Sequence, residues 1–227
     1  MQKLNDNHGF PTVQRALRYT SIRLRSRPET ADLAGVIDAE RTSIETANDT
    51  HEQAREERVA ATAEIDYLDG ELDLKVMDLS RQVAVLTGSN TSDERYKMLF
   101  PVAPSKAVKP TAGESQHRFV KILVDRLEND KRFEALRGNV KPIVTAQTDL
   151  EKAIVNREEC YMPEMRVSTD LKVAIDKAGR TYNKLYPQLT LIFDNERLVE
   201  SFFLKIRKSR KSGGDTDEPT VVETATE

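Results

Sequence analysis

From Glu29 to Thr87 the chain contains no proline, and a seven-residue series runs along it through Ile37, Ile44, His51, Arg58, Ile65, Leu72, Leu79 and Leu86. A period of seven keeps one stripe of an α-helix facing a partner helix, because two slightly underwound turns return to the same side. Such a stripe demands a long helix packed in a bundle. The companion positions Leu33, Glu40, Ala47, Ala54, Ala61 and Leu68 are rich in alanine, which lets neighbouring helix axes approach closely. The series turns polar at His51 and Arg58, beside Asn48-Asp49-Thr50 with its turn chemistry. One bent continuous helix is expected there in preference to a hairpin.

The second half of the chain reads in parallel, as two similar units at residues 1–100 and 101–209. Thr46-Ala47 followed by Glu52 and Ala54 recurs as Thr145-Ala146 followed by Glu151 and Ala153, a separation of about 99 residues. Asp73-Leu74-Lys75-Val76 recurs as Asp170-Leu171-Lys172-Val173. Tyr96, Leu99, Phe100 and Pro101 pair with Tyr182, Leu185, Tyr186 and Pro187, each set read as an aromatic corner closed by a helix-stopping proline. In the second unit a helix is expected from about Asn139 to Asn156. A kink or break at Cys160-Tyr161-Met162-Pro163 should follow, and then a further series through Leu171, Ile175, Ala178, Tyr182 and Leu185.

Shorter elements fill the remainder. Pro11 opens a helix over residues 11–26 that Pro28 closes, and Ser115 begins one carrying Phe119, Val120, Ile122, Leu123 and Leu127. A shorter piece around Phe133 and Leu136 stops at Gly138. Gly88-Ser89-Asn90 ends the first long segment, and Pro101, Pro104 and Pro110 mark the connector between units. Asp194 is read as the cap of a last helix holding Leu198, Val199, Phe202, Phe203 and Ile206. Residues 210–227 are acidic and poor in apolar side chains, and a disordered tail is expected.

The fold class is therefore all-α: an elongated antiparallel, coiled-coil-like bundle built by internal duplication. With 32% charged residues against 38% hydrophobic ones, thin helical packing fits better than one large spherical core. No apolar run reaches membrane-spanning length, and the start lacks an apolar signal region, so a cytoplasmic location is expected. The lone Cys160 has no internal disulfide partner and no neighbouring histidine in sequence to activate it.

Catalytic chemistry finds no foothold in the residues. The Glu-x-x-His spacing of Glu114 and His117 stands alone, where a di-iron bundle needs two such pairs with further carboxylates. His51 with Glu52, Glu56 and Glu57 reads as a solvated or inter-helix polar layer in preference to a cation site. No glycine-rich phosphate loop or nucleophile elbow is present. No enzyme activity, metal or cofactor is assigned.

The expected function is that of a noncatalytic structural or scaffolding subunit that forms a homo-oligomer or binds a protein partner through helix faces and aromatic bundle ends. The residues assigned to those ends are Tyr96, Leu99 and Phe100 in the first unit and Tyr182, Tyr186, Phe202 and Phe203 in the second. The alternative is binding of nucleic acid or another anionic surface by two basic clusters. These are Arg15, Arg18, Arg23, Arg25 and Arg27 near the amino end, and Lys205, Arg207, Lys208, Arg210 and Lys211 near the carboxyl end. A basic last turn also follows from the helix dipole, which makes a solvated surface the simpler account.

Overall fold

The computed structural model describes residues 3–5, 7–107 and 114–206. Among these residues there is no strand. The helices are α1 (Phe10–Arg25), α2 (Ala31–Leu86), α3 (Glu94–Leu99), α4 (Pro104–Ala107), α5 (Glu114–Asn129), α6 (Val140–Ile192) and α7 (Glu196–Glu200). Tighter 3-10 turns at Pro28–Thr30 and Lys131–Asn139 lead into α2 and α6. The expected tail at residues 210–227 lies outside the described residues.

Helix α2 is continuous, as its heptad series requires. The Asn48-Asp49-Thr50 turn chemistry is absorbed inside it: the Thr50 hydroxyl donates to the Thr46 carbonyl at 2.9 Å instead of competing for the backbone. The helix ends where Gly88 and Ser89 take positive φ and the Ser89 amide returns to the Ala84 carbonyl at 2.7 Å.

Helix α6 corrects two expectations. It runs without a break through Pro163, where a kink or break was read, so the break alternative falls, and through Pro187, which was read as a stop. Both prolines are exposed, so the carbonyl each one frees four residues earlier can turn to water, and the loss of one hydrogen bond does not end the helix. The two aromatic corners are therefore not equivalent, since Pro101 follows the end of α3 whereas Pro187 lies inside α6. Helix α7 is shorter than read, and its cap is Asn195 rather than Asp194: the Asn195 side chain accepts from the Leu198 amide at 3.1 Å. Turns at Ser201–Phe203 then carry Phe202 and Phe203 inward.

The chain divides into two compact units, each drawing on both halves of the sequence: Met1–Arg41 with Asp176–Glu227, and Thr42–Ile175. In the first unit, α1, the start of α2, the end of α6 and α7 enclose Leu17, Leu24, Ile37, Tyr182, Leu185 and Phe202. Two buried threonine hydroxyls are satisfied by main chain, Thr20 donating to the Phe202 carbonyl at 2.8 Å and Thr30 to the Leu24 carbonyl at 2.7 Å, and Ser21 donates to the Asp38 carboxylate at 2.8 Å. Asn183 pins the amino-terminal segment by bonding both the amide and the carbonyl of Leu4.

In the second unit, α2, α3, α5 and α6 share one apolar core. It holds Leu72, Leu79, Leu99, Leu123, Phe133 and Ile143 among others. Two contacts set α2 antiparallel to α6: Gln82 bonds Asn139, and further back along α2 Arg58 pairs with Glu164, further on along α6. Along residues 45–60 of α2 and 154–175 of α6 no side chain is fully buried, because two helices without a third layer cannot enclose one. The half-buried Ala47, Ala54, His51 and Arg58 fall there, which is where the heptad series turned polar.

Candidate functional site

Helix α2 carries two apolar stripes in the second unit. Ile65, Leu72 and Leu79 face the core. Two residues further round, a rotation of about 200°, lies a second series: Ala60, Ala63, Tyr67, Gly70, Leu74 and Met77, in strict alternation of three- and four-residue steps. That is coiled-coil seam spacing, and here it faces outward. Tyr67 is 67% exposed and Leu74 is 56% exposed. A shallow groove along this face is bordered on one side by Ser105 of α4. Tyr67 stands between it and a second groove of about 510 Å³ that α2 forms with the start of α6, at Lys141, Pro142 and Thr145.

Gly70 sits in the middle of the outward stripe. A helical glycine costs about 1 kcal/mol relative to alanine. Among the described residues, nothing lies within 4 Å of where its Cβ would stand. No contact among the described residues therefore requires the small residue, and the space above it is open.

The flanks of the stripe are acidic. In coiled-coil lettering with Ala60, Tyr67 and Leu74 at a, the e and g positions from residue 64 to 80 are Glu64, Asp66, Glu71, Asp73, Asp78 and Ser80, five of six being carboxylates. Lys75 bonds Glu71 at 3.1 Å and Arg81 pairs with Asp78, so two of the five have a cation beside them on the same helix. On the g side, the Gln116 amide of α5 donates to Asp69 at 2.7 Å and Asp73 at 3.1 Å. Burial first, and the neighbouring Asp69 charge second, push the Asp73 carboxyl up to about 6 against the pull of the Gln116 bond.

A carboxyl raised in the fold contributes stability below its ordinary range and loses it as pH rises through 6. Asp73→Asn, which keeps an acceptor for Gln116 and removes the charge, is expected to raise the melting temperature at about pH 7.5 and to leave it nearly unchanged near pH 4. Equal shifts at both pH values in thermal scans would contradict this assignment.

The aromatic residues read from sequence as partner-binding ends are placed inside the units. Tyr96, Leu99 and Phe100 belong to the core of the second unit, and Tyr96 shares a hydrogen bond with Ser80 at 3.1 Å. Tyr182, Phe202 and Phe203 are buried in the first, with Tyr182 edge-on to Phe203 at 5.2 Å. Tyr186 is half-buried, its ring 6.0 Å from Phe203 and its hydroxyl 3.2 Å from Glu196. Helices splay where a bundle ends, and bulky rings fill that space.

The amino-terminal basic cluster is largely engaged within the first unit. Arg23 donates to the carbonyl and hydroxyl of Ser201 and lies over the Phe202 ring at 6.0 Å. Arg25 pairs with Asp38, and Arg27 lies over Phe193 at 5.4 Å. Arg15, Arg18 and Lys205 are exposed. Arg207, Lys208, Arg210 and Lys211 lie outside the described residues.

Compared with protein-family models, curated proteins and solved structures, the chain matches none. Among the described residues, no three of histidine, cysteine, aspartate and glutamate gather where they could hold a metal ion. His117 meets Gln147 at 2.7 Å, and half-buried Cys160 is a free thiol. No helix among the described residues is long and apolar enough to cross a membrane.

Sequence reasoning passed over the outward stripe because the Ile65-Leu72-Leu79 series was taken as the one seam of α2. The available signal was a second seven-residue series offset by two, with Tyr67 and Leu74 at equivalent positions and carboxylates on both sides.

Proposed function

We propose that this protein is a noncatalytic scaffolding subunit whose long helices present docking faces to another protein chain. The observation that carries this reading is the outward stripe of α2, where Tyr67 and Leu74 stay mostly in water at seam spacing. Burying apolar area is worth about 25 cal/mol per Å², and a helix laid along this face would gain it without rearranging the core. The aromatic ends serve as the packing that holds each unit closed. Element order is one support for an origin by duplication: a helix, a 3-10 turn and a long helix occur in that order twice, followed by two short helices the first time and one the second.

Light scattering across a concentration series, with quantitative affinity purification in parallel, tests the reading on the full chain and its Tyr67→Glu/Leu74→Asp variant. Self-association or co-purifying protein seen only with the unaltered chain supports docking through this face. A strict monomer with the same co-purification profile for both proteins removes it.

A further inference from the structure

We infer that the outward stripe of α2 in the second unit receives an amphipathic helix with basic flanks, forming a heterotypic coiled coil with a different protein. The inference rests on the scaffolding reading and names the chemistry of the partner.

Three observations converge on it. The stripe has strict seam spacing over Ala60, Ala63, Tyr67, Gly70, Leu74 and Met77. A straight row of small and large apolar side chains at that period accepts the knobs of another helix along its length, whereas a globular partner would not need the period. Gly70, open above its Cα, falls between the two bulky residues Tyr67 and Leu74 and leaves a hole there for a large incoming side chain. Arg81, which takes the next a position, marks the end of the apolar row.

Charge then selects among occupants. In a coiled coil the e and g residues of one helix face those of the other, so carboxylates at Glu64, Asp66, Glu71, Asp73 and Asp78 meet whatever flanks the partner's seam. A second copy of this face would bring carboxylates against carboxylates in either orientation, which opposes self-pairing. Lysine or arginine at the partner's e and g positions converts the same geometry into attraction. The intrahelical pairs of Glu71 with Lys75 and of Asp78 with Arg81 hold two of these carboxylates in place without changing the sign of the face.

The test uses the full chain and synthetic peptides of about four heptads. One peptide carries leucine or isoleucine at a and d with lysine at e and g, and its own like charges keep it from pairing with itself. A second carries glutamate at e and g. A third keeps the lysines and the composition but moves the apolar residues off a and d. Binding is followed by anisotropy of the labelled peptide at low and at 0.5 M salt, with circular dichroism of every protein variant to confirm folding.

The lysine peptide is expected to bind at least tenfold more tightly than either control. Leu74→Asp should abolish that binding, and Glu64→Lys with Glu71→Lys should weaken it by tenfold or more. Added salt should weaken it as well. Equal binding of the shuffled peptide would reduce the effect to bulk charge and overturn the proposal, as would indifference to Leu74→Asp or silence of the lysine peptide. If the lysine peptide is silent while the protein self-associates through a contact that Leu74→Asp removes, the face belongs to a second copy. The basic partner then falls and the scaffolding reading stands.

Discussion

Truncating Leu72 to alanine is expected to cost about 2–5 kcal/mol of unfolding free energy, while the same truncation at Leu74 should stay within about 0.5 kcal/mol. The two leucines are neighbours on α2 and nearly identical in sequence context. Leu72 is 1% exposed in the core that α2 shares with α3, α5 and α6. Its truncation removes transfer free energy and leaves a cavity that close-packed neighbours only partly refill. Leu74 already lies mostly in water, and alanine is the better helix former at a position with little packing to lose. Urea unfolding followed by circular dichroism measures both. Similar losses at the two sites would mean that both stripes of α2 are covered, and would remove the docking face together with the reading built on it.

Phe202→Ala is expected to cost about 3–5 kcal/mol. The ring is 1% exposed, stacks on Phe193 with centroids 5.7 Å apart, and has the Arg23 guanidinium over its face. Removing it leaves Phe193 and Arg23 without their shared surface and opens a cavity beside the Thr20 bond to the residue's carbonyl. From sequence, the ring was assigned to a partner-binding end; in the structure it is buried and supports the fold of the first unit. Tyr182 supplies an independent readout: burial pushes its phenol up to about 12, and loosening of the unit should return its spectrophotometric titration toward the ordinary value near 10. An unfolding midpoint and a tyrosine titration both unchanged in the variant would contradict the assigned packing.

Much of the architecture was legible because it is written in local periodicity. Ile37, Ile44, Ile65, Leu72 and Leu79 repeat at seven residues, and each is buried along one continuous helix. The Gly88-Ser89 stop and the short helix around Phe119–Leu127 follow from equally local chemistry. Pro163 and Pro187 misled because the cost of a helical proline depends on whether the freed carbonyl can reach water, and that depends on which side of α6 faces out. The aromatic ends were legible only in part, for a related reason. A ring such as Phe100 or Phe202 signals that it must be buried but not by what, and segments distant in sequence turned out to supply the cover: α5 and the Lys131–Asn139 turn in one unit, α1 in the other.

What the sequence by itself determined is the all-helical class, the long helix α2, the polar centre at His51 and Arg58, and the seven-residue apolar period. These depend on the rotation of about 100° per residue that every α-helix shares. Only the tertiary structure decided that the second stripe stays uncovered. Ile65-Leu72-Leu79 was legible as a seam, but Ala60-Tyr67-Leu74 has the same period on the same helix, and period alone does not say whether a distant segment covers it. The distinction arises because α5 and α6 pack on one side of α2 and leave the acid-flanked side open to solvent. That is a fact about where distant segments of the chain come to rest, and the candidate function depends on it.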